Sequence, residues 1–258
     1  MKNKIKKIIK MKNKTKIICL TAYSKNFAEE IDKFADIILV GDSLGSVLYN
    51  FDTTRKVTLE NMIMHSRSVK MGVKKSLMIV DMPYQTYSNK NKALKNAKRI
   101  IRETKCDAVK LEGGFKVAKV INHLIVNKIP VQGHLGILPQ SVKGKFKVKG
   151  KKISEKNKLM KEAKLLERLG VFSIILEGIE TNTAKIISKS INIPTIGIGS
   201  SKFCDGQVLV TDDLLGLNDT NIRFVKKFAN LKKEISKGIY KFKKEVKSLK
   251  YPSKKFSY

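Results

Sequence analysis

The chain has no tryptophan, and only three cysteines and five prolines in 258 residues. Cys19, Cys106 and Cys204 are odd in number and far apart. That spacing supports neither a thiolate metal cluster nor a disulfide framework, and it suits a reducing cytoplasm. The prolines do not gather with serine into a linker, so one domain spanning residues 1–258 is expected. No apolar run approaches the roughly 20 residues of a membrane span. The first ten residues alternate lysine with isoleucine and lack the apolar core of a secretory leader. A helix closing the floor of the fold is expected there. No glycine-rich dinucleotide fingerprint follows the first candidate strand, Ile17 to Leu20.

Arginine is also scarce. It occurs only at positions 55, 67, 99, 102, 168 and 223, although the net charge is +32. Such a charge invites a nucleic-acid reading. Nucleic-acid sites, however, favour arginine for bidentate contacts, and single-strand binders add stacking aromatics. Aromatics make up only 7% of this chain, and its lysines are spread along the whole length. Lysine, asparagine and isoleucine are the residues of AT-rich codons, so the charge is read as compositional drift. Net charge speaks to solubility and nonspecific association, not to fold. No specific nucleic-acid partner and no membrane partner are expected.

What is present is a repeated pattern. Ile37-Ile38-Leu39-Val40 runs into Gly41-Asp42-Ser43. Leu77 to Val80 runs into Asp81, Ala108 to Leu111 into Glu112, Pro130 to Gly133 into His134, and Phe172 to Leu176 into Glu177. A short apolar run bounded by turn residues reads as a buried strand. Helical segments lie between these runs, as at Lys25–Phe34, Ser154–Leu169 and the stretch opened by Thr58. Further strands are expected at Pro194–Ile198 and Gln207–Thr211, with a lysine-rich helical region from Ile222 to Leu249. Strand and helix in alternation imply a parallel sheet. Eight such units in a chain near the typical length of about 250 residues favour a closed (β/α)8 barrel. An N-terminal helix and a C-terminal helical extension would flank it. An open doubly wound sheet is the alternative.

In a barrel, all these polar groups emerge at the C-terminal mouth, where barrel enzymes work. Asp42 and Asp81 also suit plain capping of a turn. Glu112 and Glu177 are poor caps, and a carboxylate at the end of a buried strand carries a desolvation cost. Three carboxylates on neighbouring strands can share Mg²⁺, which takes oxygen ligands and keeps positions open for substrate. Glu177 is then left to move protons. Lys110 precedes Glu112 by two and shares its face; it pairs with an anion or snorkels at the rim. His134 is either a site residue or a satisfied structural histidine. His65 and His123 fall in helical segments and read as packing or surface residues.

These stretches resemble the ketopantoate hydroxymethyltransferase family. The resemblance rests on Leu39-Val40-Gly41-Asp42-Ser43-Leu44-Gly45, Val109-Lys110-Leu111-Glu112-Gly113-Gly114, Gly133-His134-Leu135-Gly136 with Pro139-Gln140-Ser141, Gly197-Ile198-Gly199, and Cys204 to Val210. They occur in the family's order over nearly the whole chain. Thr21-Ala22-Tyr23, Asp81-Met82-Pro83 and Tyr251-Pro252 also fit. The resemblance implies a (β/α)8 barrel that binds Mg²⁺ through Asp42, Asp81 and Glu112. It implies 3-methyl-2-oxobutanoate as substrate, contacted by Asp42, Ser43, Asp81 and Lys110, with His134 nearby. Glu177 matches the family's general base. The implied donor is 5,10-methylenetetrahydrofolate, the product 2-dehydropantoate on the route to pantothenate, and the assembly a cyclic homo-decamer.

The chain departs from the family in its loops. The loop after Val142 is short, running Lys143-Gly144-Lys145-Phe146-Lys147-Val148. The family's Gly-Ile-Gly-Ala-Gly reads Gly-Ile-Gly-Ser-Ser, ending at Ser201, and its His-Asp reads Thr211-Asp212. Leu217-Asn218-Asp219-Thr220 is also trimmed. These changes bear on the folate site and subunit contacts more than on the acids. Two other classes stay open: a Mg²⁺-dependent lyase acting on a 2-oxo acid, and a polyanion-binding protein without activity.

Overall fold

The computed structural model describes residues 2–142, 146–219 and 221–258. Lys143, Gly144, Lys145 and Thr220 of the two shortened loops lie outside them. Eight parallel strands close into a barrel in chain order: β1 (Ile17–Thr21), β2 (Ile37–Val40), β3 (Leu77–Asp81), β4 (Ala108–Glu112), β5 (Val131–Gly136), β6 (Ser173–Glu177), β7 (Thr195–Ile198) and β8 (Gly206–Leu209), which pairs back onto β1. Helices α1 (Lys2–Lys10), α2 (Lys25–Ile31), α3 (Leu44–Tyr49), α4 (Leu59–Gly72), α5 (Lys90–Thr104), α6 (Ala118–Val126), α7 (Ile153–Leu169) and α8 (Thr181–Ser190) precede or link them. The fold is therefore the (β/α)8 barrel and not the open sheet.

Local chemistry sets these elements. Thr58 and Asn61 form a reciprocal capping box that starts α4. Asn89 accepts the Lys92 N–H to start α5. Gly170, at φ 93°, ends α7 in the left-handed conformation that glycine adopts without strain. Among the boundaries that differ from the sequence reading, three bear on the barrel mouth. Strand β2 stops at Val40, so Asp42 stands in the turn beyond it. Strand β5 starts at Val131 and carries His134 inside it, because it is paired on both sides, to β4 and to β6. Strand β8 ends at Leu209, and Thr211 opens a helix.

Both faces of the strands are apolar, as a parallel sheet covered by helices requires. Met78, Val80, Val109, Leu111, Ile174 and Leu176 pack outward with the helices. Leu77, Ile79, Ala108, Ile175, Ile196 and Val208 fill the barrel interior. Ile8 of α1 joins that interior cluster at 1% exposure, so the N-terminal helix plugs the floor. Burying such a side chain contributes roughly 1.5–3 kcal/mol.

The chain divides into two compact units, Met1–Val210 and Thr211–Tyr258. The second holds α9 (Thr211–Leu214) and α10 (Leu231–Lys247), the expected C-terminal extension. Asn230 accepts the Lys233 N–H at the start of α10, later than the sequence pattern placed that helix. No helix among the described residues is long and apolar enough to cross a membrane.

Candidate active site

Side chains alternate along a strand, so the inward faces of β3 and β4 start apolar near the floor and end polar at the mouth, while β5 and β6 carry polar residues earlier as well. On β3 it reads Leu77, Ile79, Asp81; on β4, Ala108, Lys110, Glu112; on β5, Gln132, His134; on β6, Ser173, Ile175, Glu177. Strand register then decides who meets whom. Asp81 lies opposite Lys110, Glu112 opposite His134, and Glu177 opposite Gly136. A side chain at Gly136 would put its Cβ 2.1 Å from the Glu177 carbonyl oxygen. Glycine there lets β5 and β6 close tightly beneath Glu177.

The contacts follow this register. Lys110 Nζ forms an ion pair with Asp81 Oδ1 at 2.6 Å. His134 sits between two carboxylates, with Nε2 3.3 Å from Glu177 Oε2 and Nδ1 3.7 Å from Glu112 Oε1. The main-chain N–H of Asp42 donates to Asp81 Oδ2 at 3.0 Å, so Asp81 does hold the turn as well as face the mouth. The Asp42 carboxylate caps no helix; its Oδ2 accepts from the Gln140 amide at 2.8 Å. Ser43 and Tyr23 share a hydroxyl hydrogen bond of 2.8 Å. Asp42, Asp81, Lys110, Glu112 and His134 are all buried, whereas the Glu177 side chain keeps 18% of its exposure. All seven residues singled out by sequence thus meet at one end of the barrel.

The electrostatics of this cluster are unbalanced. Four carboxylates face a single lysine. Burial, reinforced by the charge of Asp81, pushes the Asp42 carboxyl up to about 7. Burial and the charge of Asp42 raise Glu112 well above the usual carboxylate range. Burial alone would lower Lys110, but Asp81, Asp42 and Glu112 together hold it above its ordinary value, so it stays cationic. Burial, helped by the Lys110 charge, lowers His134 and keeps its imidazole neutral. A cluster of hard oxygen donors with surplus negative charge fits a divalent cation such as Mg²⁺. Among the described residues no three carboxylate, imidazole or thiol groups already stand at the spacing of a closed metal cage. Lys110 and Gln140 engage Asp81 and Asp42 instead.

The other histidines do the work expected of them. His65 of α4 places Nδ1 2.7 Å from the Tyr23 carbonyl oxygen and Nε2 2.7 Å from the Tyr49 hydroxyl. His123 lies in α6. All three cysteines are buried and unbridged. Sequence reasoning gave no role to Gln140, Tyr87 or Tyr23, which hold Asp42 and Ser43 in place. A lone glutamine after a proline carries no chemical signal; only its contacts reveal it.

Comparison with known proteins agrees with this geometry. A family model described as ketopantoate hydroxymethyltransferase matches residues 2–254. The 3-methyl-2-oxobutanoate hydroxymethyltransferase of Pelagibacter ubique is 61% identical over 258 residues, covering 100% of both chains. Among solved structures, a phosphoenolpyruvate phosphomutase from Streptomyces platensis subsp. rosaceus superposes with a TM-score of 0.63 at 9% identity, covering 95% of this chain and 87% of its own. A phosphonopyruvate hydrolase complex with oxalate and Mg²⁺ superposes with a TM-score of 0.60 at 10% identity, covering 98% and 93%. At such identities these two structures share the fold alone. The full-length sequence match, with the acid-lined barrel mouth, places the chain in the ketopantoate hydroxymethyltransferase family.

Proposed function

We propose that this protein converts 3-methyl-2-oxobutanoate to 2-dehydropantoate, taking the one-carbon unit from 5,10-methylenetetrahydrofolate, on the route to pantothenate. The observation that carries the chemistry is the surplus of buried carboxylates around Lys110 at the barrel mouth. Asp42, Asp81 and Glu112 would hold Mg²⁺, which when bound supplies Lewis-acid stabilisation of charge on the substrate's keto oxygen. That the phosphonopyruvate hydrolase of the same fold holds Mg²⁺ with oxalate supports this choice of ion.

Lys110 stays cationic and neutralises the bound oxo acid, and Ser43, positioned by Tyr23, offers it a hydroxyl. Glu177 is the most accessible of the carboxylates and removes the C3 proton as general base. The neutral His134 orients it. The resulting enolate carbon bonds to the donor methylene. The two carbon–nitrogen bonds of that methylene give way to one bond to C3 and one to a water oxygen, leaving tetrahydrofolate.

For the donor's anionic tail we assign Arg55. It lies in a single 3-10 turn, Thr54–Lys56, between α3 and α4, on the connection from β2 at the mouth end of the barrel. Its guanidinium stands 4.2 Å over the Tyr84 ring and donates to the Tyr84 hydroxyl at 2.6 Å. It has no carboxylate partner among the described residues, unlike Arg67, Arg99 and Arg102. The exposed apolar residues Ile235, Ile239, Phe242 and Val246 of α10 support self-association, for which the family resemblance implies a homo-decamer. Buried, unbridged cysteines support a cytoplasmic location. The test is nuclear magnetic resonance of the reaction with ¹³C-methylene donor and Mg²⁺. Label appearing in the hydroxymethyl group of 2-dehydropantoate supports the reading; label remaining in the donor contradicts it.

A further inference from the structure

Gln140 is 3% exposed and makes four polar contacts at the rim of the acid cluster. Its amide nitrogen donates to Asp42 Oδ2 at 2.8 Å and to the Met82 carbonyl oxygen at 3.0 Å. Its amide oxygen accepts from the Tyr87 hydroxyl at 2.5 Å. Its main-chain N–H donates to Glu112 Oε2 at 3.1 Å.

We propose that Gln140 is a positioning residue that holds Asp42 and Glu112 for the divalent cation, and that Tyr87 locks its amide in the working orientation. This rests on the reading of the acids as the Mg²⁺ site. The orientation is forced by the partners. The Met82 carbonyl can only accept, as does Asp42 in the ionised form that would hold a cation, so the amide nitrogen faces both. The amide oxygen is left to the Tyr87 phenol. Burial, with the nearby charge of Glu112, raises that phenol's pKa, so it remains a donor. Turning the amide over would set its oxygen against two acceptor oxygens and lose both of those hydrogen bonds.

The need for such a device follows from the strands. Asp81 and Glu112 end β3 and β4 and are placed by register. Asp42 stands two residues beyond β2 and has no register of its own. Gln140 supplies the missing constraint from the far side of the mouth, on the loop after β5, and reaches Glu112 with the same residue's backbone. One residue thereby sets the separation of two acids.

The experiment titrates Mn²⁺, followed by its electron paramagnetic resonance signal, into the full-length protein and into Gln140→Leu, Tyr87→Phe and the double variant. Loss of a hydrogen-bonding partner behind a metal-ligating group typically costs about 10–100-fold in metal affinity, and Gln140→Leu is expected in that range. Tyr87→Phe weakens binding less, and the double variant matches Gln140→Leu, because Tyr87 acts through Gln140. The bound-Mn²⁺ spectrum also broadens in Gln140→Leu, which a remote packing defect would not produce. Wild-type affinity in folded Gln140→Leu overturns the proposal, as do effects of the two substitutions that multiply. If Gln140→Leu fails to fold, Tyr87→Phe decides, and unchanged affinity there overturns it. Absence of Mn²⁺ binding in the unsubstituted protein removes the metal reading itself, and this proposal with it.

Discussion

His134 Nε2 lies 3.3 Å from Glu177 Oε2 while its Nδ1 lies 3.7 Å from Glu112 Oε1. A neutral imidazole carries one N–H, so it can serve only one of these two carboxylates at a time. Neither ring nitrogen makes a hydrogen bond among the described residues, and Glu177 is the nearer of the two acids. Glu177→Gln is therefore expected to retain Mn²⁺ and oxo-acid binding while losing about 10²–10⁴-fold in C3 proton exchange. His134→Gln, which keeps a donor, should lose less. Calorimetry for binding and proton resonance for exchange separate the two effects; a Glu177→Gln protein with full exchange would remove the base assignment.

The same cluster makes a statement about stability. Burial and the Asp81 charge push the Asp42 carboxyl up to about 7, so its contribution to stability is full below about pH 4 and is lost as the pH rises to about 7. At pH 8, Mg²⁺ at 100 times its Kd should stabilise by about 2.7 kcal/mol, a rise of several degrees in Tm. Asp42→Asn should raise the Tm of the metal-free protein and abolish the Mg²⁺ increment. Calorimetric melts with and without Mg²⁺ check both; an increment surviving in Asp42→Asn would take Asp42 out of the metal site.

Asp205 behaves in the opposite sense. It is 5% exposed and accepts from Lys12 Nζ at 2.8 Å, Thr195 N at 2.8 Å and Asn13 N at 3.1 Å. Burial works to raise its carboxyl, but these donors hold it below the usual aspartate range. The unfolded chain then takes up the proton first as pH falls, so this contribution is present above about pH 4 and is lost below it. Asp205→Asn leaves Lys12 buried without its counter-charge and should cost about 3 kcal/mol at pH 7. The gap between the two proteins should close between pH 4 and 2 in denaturant titrations. A gap independent of pH would contradict the assignment.

Much of this site was legible because strand periodicity is strict. Leu77, Ile79 and Asp81, or Ala108, Lys110 and Glu112, fall on one face by counting alone, and the barrel brings those faces together. The N-terminal helix was legible from its mix of lysine and isoleucine, of which Ile8 is buried at the floor. Turns were less legible. Asp42 owes its place to Gln140, 98 residues away, and no local pattern encodes that bond. The position of His134 inside β5 depends on pairing from both neighbours, which sequence alone does not display.

Arg55 provides a test that spares the acids. Arg55→Gln should raise KM for methylenetetrahydrofolate by about 10-fold or more, the size of a lost charge-assisted hydrogen bond. C3 exchange without donor should be unchanged. Steady-state kinetics with donor varied at saturating oxo acid measure this. An unchanged donor KM would place the tail elsewhere.

The most direct test of the whole account is C3 deuterium exchange on 3-methyl-2-oxobutanoate in D₂O, with and without Mg²⁺ and in the absence of any folate. The account requires exchange that depends on Mg²⁺ and is lost on chelation. No exchange by the folded, Mg²⁺-supplied protein would contradict it, because the buried acids would then hold neither a working base nor a site that stabilises the enolate.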